Sequence, residues 1–154
     1  MFLSAAPTVR KNLILRNRHC GVLVSNGGGG TVEANQMHGN GAAAVRIESQ
    51  ADPLVTHNTL YNGGKHGVLV CNHGLGRVQG NTILRNRGSG VKLKSEGCAL
   101  VEGNKIHHGY GVGIEVSANG HGEVRHNCVF ENDGGDFQLS APESQLVAVG
   151  NAGR

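Results

Sequence analysis

Apolar residues return along this chain at one fixed interval. Val9, Val32, Val55, Val78, Val101 and Val124 stand 23 residues apart, each three places before an asparagine: Asn12, Asn35, Asn58, Asn81, Asn104 and Asn127. Two places after each asparagine comes Ile14, Met37, Leu60, Ile83, Ile106 or Val129. Ten and twelve places after it come Val22/Val24, Val45/Ile47, Val68/Val70, Val91/Leu93, Ile114/Val116 and Phe137/Leu139. Each copy therefore carries three short segments of period two, the pattern of strands, and none has room for a helix. A unit this small cannot bury its apolar side alone, so successive copies must stack.

The expected fold is all-β: a right-handed parallel β-helix with one coil per copy. Regular coils run over 7–144 and a partial coil over 145–154, in a single domain (1–154) that reads as part of a longer solenoid. Leucine-rich repeats of similar length would show a Leu-rich consensus, which is absent. Coils stack at about 4.8 Å, the usual inter-strand distance. Asparagine at one place in every coil suits a ladder of amides, and asparagine also tolerates left-handed backbone at a turn. Gly21, Gly67, Gly90 and Gly113 form a second column just before the third strand, broken by Ala44 and Asp136. Unpaired strands at the two ends leave end-to-end association open.

Composition narrows the function. With 26 Gly, no Trp and 16% charged residues the chain is turn-rich, and its regular Val, Ile and Leu placements argue against disorder. A net charge of +3 with no dense basic run excludes a nucleic-acid groove, and no apolar run reaches membrane-spanning length. Residues 1–6 are too short for a leader. Cys20, Cys71, Cys98 and Cys128 fall at four different repeat positions, so they read as reduced thiols of an intracellular protein, cytoplasmic or nuclear.

The repeat also says which side chains are neighbours. His38 and His107 share a column three coils apart, as do His57 and His126, too far for shared ligation; no metal and no cofactor is expected. Arg10 stacks on Glu33, Lys92 on Glu115 and Glu102 on Arg125, as cross-strand charge pairs. One patch departs from such pairing. Arg85, His108 and Glu131 occupy one column on consecutive coils, and Arg87, Tyr110 and Asp133 another two places along. Arginine, histidine and carboxylate on one edge could serve catalysis or glycan binding, with Arg85, His108, Glu131 and Asp133 as the candidate residues. A second outward column is mostly apolar: Leu15, His38, Tyr61, Leu84, His107 and Phe130. Tyr61, Leu84, His107 and Phe130 are candidates for a protein-binding face.

The segments Pro7-Thr8-Val9-Arg10-Lys11-Asn12 and Gly30-Thr31-Val32-Glu33-Ala34-Asn35 alternate a Pro-led with a Gly-led coil, and Gly21-Val22-Leu23-Val24 and Gly67-Val68-Leu69-Val70 close theirs. From Pro7 to about Leu139 this resembles the β-helix repeats of F-box only proteins 10 and 11. That resemblance implies a non-catalytic solenoid recruiting a protein substrate to a ubiquitin ligase. Neither F-box helices nor a zinc-finger cysteine pair is present in the sequence. The alternative is a carbohydrate-active β-helix of the lyase, hydrolase or epimerase kind, or a glycan binder. A structural rod in a larger assembly is a second alternative.

Overall fold

The computed structural model describes residues 5–140 and 146–153. The expectations that concern residues 1–4, 141–145 and 154 lie outside the described residues. Each full coil contributes three strands of three to five residues, and every strand pairs in parallel with its counterpart in the next coil. Three sheets result, called A, B and C in the order the chain visits them. A and B have seven strands and C has six. The register is one copy per coil throughout the regular part: Val9 opposite Val32, Ile14 opposite Met37, Val22 opposite Val45. The seventh coil keeps this pairing with one residue added, so that Val124 faces Ala148 and not residue 147.

The interior is the predicted stack. Val32, Met37, Val45, Ile47, Val55, Leu60, Val68, Val70, Val78, Ile83, Val91 and Leu93 are buried, as are their counterparts Val101, Ile106, Ile114, Val116, Val124 and Val129. The outermost members have a coil on one side only: Val9, Ile14, Val22, Val24 and Phe137 are partly buried, and Leu139 is exposed. Glycine is required in the column before sheet C, because a Cβ at Gly67 would sit 2.5 Å from Ile83 Cγ2 and 2.6 Å from the Gly90 carbonyl oxygen.

The asparagine ladder forms, with one correction to its cause. Each ladder amide oxygen accepts both the backbone N–H and the side-chain N–H of the asparagine one coil before it, as in Asn58 N to Asn81 Oδ1 at 2.9 Å and Asn58 Nδ2 to Asn81 Oδ1 at 3.0 Å. The left-handed residue is not the asparagine but its predecessor: Lys11, Ala34, His57 and His126 have φ of 53–56°, and Gly80 and Gly103 take the same place. Even alanine adopts that conformation here, at a cost of about 1–2 kcal/mol, because the amides that follow fix the corner. Asn151 extends the ladder into the seventh coil, bonded to Asn127 at 2.9 Å.

Candidate functional site

Three corners separate the three sheets, and they differ in what they carry. The A–B corner is filled by the ladder. The C–A corner turns through a pair of left-handed residues, such as Ser49 and Gln50 or Ser95 and Glu96. The B–C corner holds the chemistry. Its first residue is left-handed in every coil (Arg16, Gly39, Asn62, Arg85, His108, Glu131), so strain at Arg85, His108 and Glu131 belongs to the repeat and is not a mark of catalysis. One residue on lies a second polar column that the constancy of the first obscures: Asn17, Asn40, Asn86 and Asn132, with Gly63 and Gly109 between. Asn86 Oδ1 accepts the Gly63 N–H at 2.9 Å while its Nδ2 donates to the Leu60 carbonyl at 3.1 Å. The signal was there in the sequence, four asparagines five places after the ladder, but only in alternate company with glycine.

The structure joins two groups of residues that alternation along the strand assigns to separate faces. His107 ends its strand on sheet B, with its ring stacked on Phe130 at 5.0 Å and 3°. The left-handed turn at His108 swings the next ring to the same side, 4.9 Å away at 83°. His107 Nδ1 and His108 Nδ1 are 2.7 Å apart, and His108 Nε2 lies 2.7 Å from Glu131 Oε2. A hydrogen-bonded chain thus runs imidazole, imidazole, carboxylate. Burial, and then the charge of His108, lower the His107 pKa. Glu131, 60% exposed, is its solvent end. Arg85, Arg87, Tyr110 and Asp133 are also exposed on this edge.

The apolar strip is less open than its composition suggests. Phe130 is 9% exposed, Tyr61 and Leu84 are half-buried, and Tyr61 stacks on His38 at 4.9 Å. All four proposed binding residues end a strand of sheet B and border the corner, with Tyr61 two coils from His107.

Ion pairs lie on the outer faces of sheets A and C. Arg10–Glu33, Lys92–Glu115 and Arg125–Glu102 form as the columns predict, at 3.3, 2.8 and 2.8 Å. On sheet C the Ser89 hydroxyl also donates to Glu115, and the Ser89 N–H donates to His66 Nδ1 at 2.9 Å. Burial alone would raise the Glu115 carboxyl; the bonds from Lys92 and Ser89 outweigh it and hold it below its ordinary value. Burial and then the Lys92 charge push His66 down to about 4. These groups satisfy one another and leave no open chemistry. Among the described residues no three His, Cys, Asp or Glu side chains are placed to hold a metal ion.

No curated protein matches the chain. Among solved structures it is similar to the periplasmic alginate epimerase AlgG, with a TM-score of 0.84 and 13% identity over 96% of this chain and 39% of that one. A double mutant of the same enzyme superposes with a TM-score of 0.75 at 15% identity, over 94% of this chain and 39% of the other. The chain thus spans about two-fifths of the length of these structures. They overturn the intracellular placement expected from the cysteines, since the proteins sharing this fold over nearly the whole chain are periplasmic. The physical reason is plain: backbone ladders hold this fold together, so four unpaired thiols carry no information about compartment. The family model of the right handed beta helix region matches residues 3–152, and the chain belongs to that family.

Proposed function

We propose that this is a carbohydrate-active β-helix, which binds an acidic polysaccharide along the B–C corner and moves a proton there. The observation that carries the reading is the His107–His108–Glu131 chain, ending on an exposed carboxylate in the same column as Arg85 and two places along from that of Arg87. A uronate ring has an acidic C–H next to its carboxylate. Removing that proton needs a base at the carbon and a cation at the carboxylate, where the enolate charge develops. Glu131 supplies the base and the histidines take up the proton behind it; Arg85 and Arg87 supply the cations. Returning a proton from solvent to the other face of the carbanion inverts the carbon, whereas expelling the 4-linked oxygen, which takes a proton from solvent as it leaves, cleaves the chain. The fold shared with an alginate epimerase supports this reading over a recruiting module of the F-box type.

The protein-recognition reading, through Tyr61, Leu84, His107 and Phe130, draws less support, because these rings spend their faces on one another and Phe130 is buried. The test is a panel of uronate polymers, read by ultraviolet absorbance for unsaturated ends and by NMR for inversion. Glu131→Gln should lower turnover by about 10²–10⁴-fold while polymer binding persists. Turnover undiminished in Glu131→Gln would remove the corner from the chemistry, and no binding of any polymer would sink the reading.

A further inference from the structure

Apart from Arg77, which is exposed on sheet A with no acidic partner among the described residues, the described arginines fall into two kinds. Arg10, Arg46 and Arg125 lie against Glu33, Glu48, and Glu102 with Glu123, at 2.6–3.3 Å. Arg16, Arg18, Arg85 and Arg87 are exposed, and among the described residues none of the four has an acidic partner. All four stand in the two columns of the B–C corner: Arg16 with Arg85, and Arg18 with Arg87, each pair 69 residues or three coils apart. Between them those columns hold only Gly39 and Asn62, and Gly41 and Gly64, so no long side chain rises from these two columns in the intervening coils. The stem of Arg16 lies along this floor, since a Cβ on Gly39 would come 3.4 Å from Arg16 Cγ.

We infer that Arg16 and Arg18 form a remote anchor for the acidic polysaccharide, in line with the reacting end at Arg85, His108 and Glu131. This rests on the reading proposed above and adds to it a length requirement. Three coils span about 14 Å at the inter-strand spacing, and a 4-linked pyranose ring advances about as far as one coil. A uronate chain lying along the rod therefore sets carboxylates against both arginine pairs once it has four rings. A shorter chain reaches one pair only. Two linked contacts bind more tightly than either alone without any new kind of interaction. Among the described residues, the corner is also the one place where exposed arginines without acidic partners share a column. Interleaved aromatic rings, which would favour stacked bases, are missing from the columns of Arg16 and Arg18 as far as Arg87.

The test is calorimetric titration of the whole chain with a 4-linked uronate dimer and hexamer. The hexamer should bind about tenfold more tightly than the dimer, the scale of two exposed ion pairs. Arg16→Ser with Arg18→Ser should erase that difference, lower dimer affinity by no more than about twofold through the loss of one of two pairs, and leave the urea midpoint unchanged. Arg16→Lys with Arg18→Lys should restore most of it. A hexamer preference that survives the serine pair overturns the anchor while leaving the binding reading intact. If neither oligomer binds the native chain, the proposed function and the anchor fall together. A single-stranded oligonucleotide bound as tightly through the same arginines would also overturn the inference, because the ligand would then be a nucleic acid.

Discussion

The A–B and B–C corners do the same mechanical work and are built to different rules. Each turns the chain between two parallel sheets, each uses a left-handed residue, and each has asparagine one place later. At A–B the asparagine is present in every coil, and each amide is saturated by its neighbours above and below. At B–C glycine replaces it in two coils of six, and the residues beside it range from arginine through glycine to histidine and glutamate. A corner fully bonded to itself has nothing left to offer a ligand. A corner held by fewer bonds is free to carry side chains chosen for another purpose.

The comparison breaks first at the ladder. Asn81→Ala would strand the Asn58 backbone N–H, one Asn58 amide hydrogen and the Val55 carbonyl, all buried. Three stranded groups at about 1 kcal/mol each predict a loss of about 3 kcal/mol in urea unfolding, to which the lost bonds from Asn81 to Asn104 and Gln79 add. Asn86→Ala removes two, to Gly63 and Leu60, and should cost about 2 kcal/mol on the same scale. Equal losses at the two positions would mean that the B–C corner is as structural as the other, and the division of labour would fail.

The fold was readable because every coil repeats the same instruction. A valine three places before an asparagine is weak evidence once and decisive six times, and the strand register followed directly. The site was readable only in part, because function sits where the columns vary. The column of Arg85, His108 and Glu131 was found by stacking copies at 23 residues. Its link to His107 was not, since strand alternation sends residues 107 and 108 to opposite sides and only the left-handed turn at His108 brings them together. The Ser89–Glu115 bond spans 26 residues, one coil and a strand, so no comparison at the repeat distance reveals it. The added residue before the seventh coil hid Asn151 from the ladder in the same way.

A smaller effect sharpens the contrast between the saturated sheet C face and the open corner. His66 is neutral in the folded chain, with its pKa lowered from 6.5 to about 4 by burial and then by Lys92, while Glu115 opposes the shift and Lys94 and Lys65 add to it. The unfolded chain therefore binds more protons between those two values, and stability from this group falls as pH drops from 6.5 towards 4. Protonation also removes the acceptor for the Ser89 N–H. A partly solvated ring makes this worth on the order of 1 kcal/mol. Comparing urea midpoints of the native chain and His66→Gln at pH 7 and pH 4.5 isolates it from the carboxylates that titrate in the same range. The native chain should lose more stability than the variant, and an identical loss in both would show that the ring is not held neutral by its neighbours.

The smallest expected effect bears hardest on the comparison. Arg85→Asn with Arg87→Ser gives the fourth coil an asparagine where the third coil already has Asn62, and a short side chain where that coil has Gly64. The left-handed place accepts asparagine readily, and neither arginine gives up an acidic partner among the described residues. Unfolding free energy should stay within about 0.5 kcal/mol of the native chain, the range of an exposed substitution that touches no special feature. Uronate binding should fall in the same variant, because the cations that face the carboxylate are gone. Loss of binding at constant stability is what separates a residue kept for a ligand from one kept for the fold. A drop in stability beyond about 1 kcal/mol would place these arginines with the ladder, and the corner would then have no side chains to spare for chemistry.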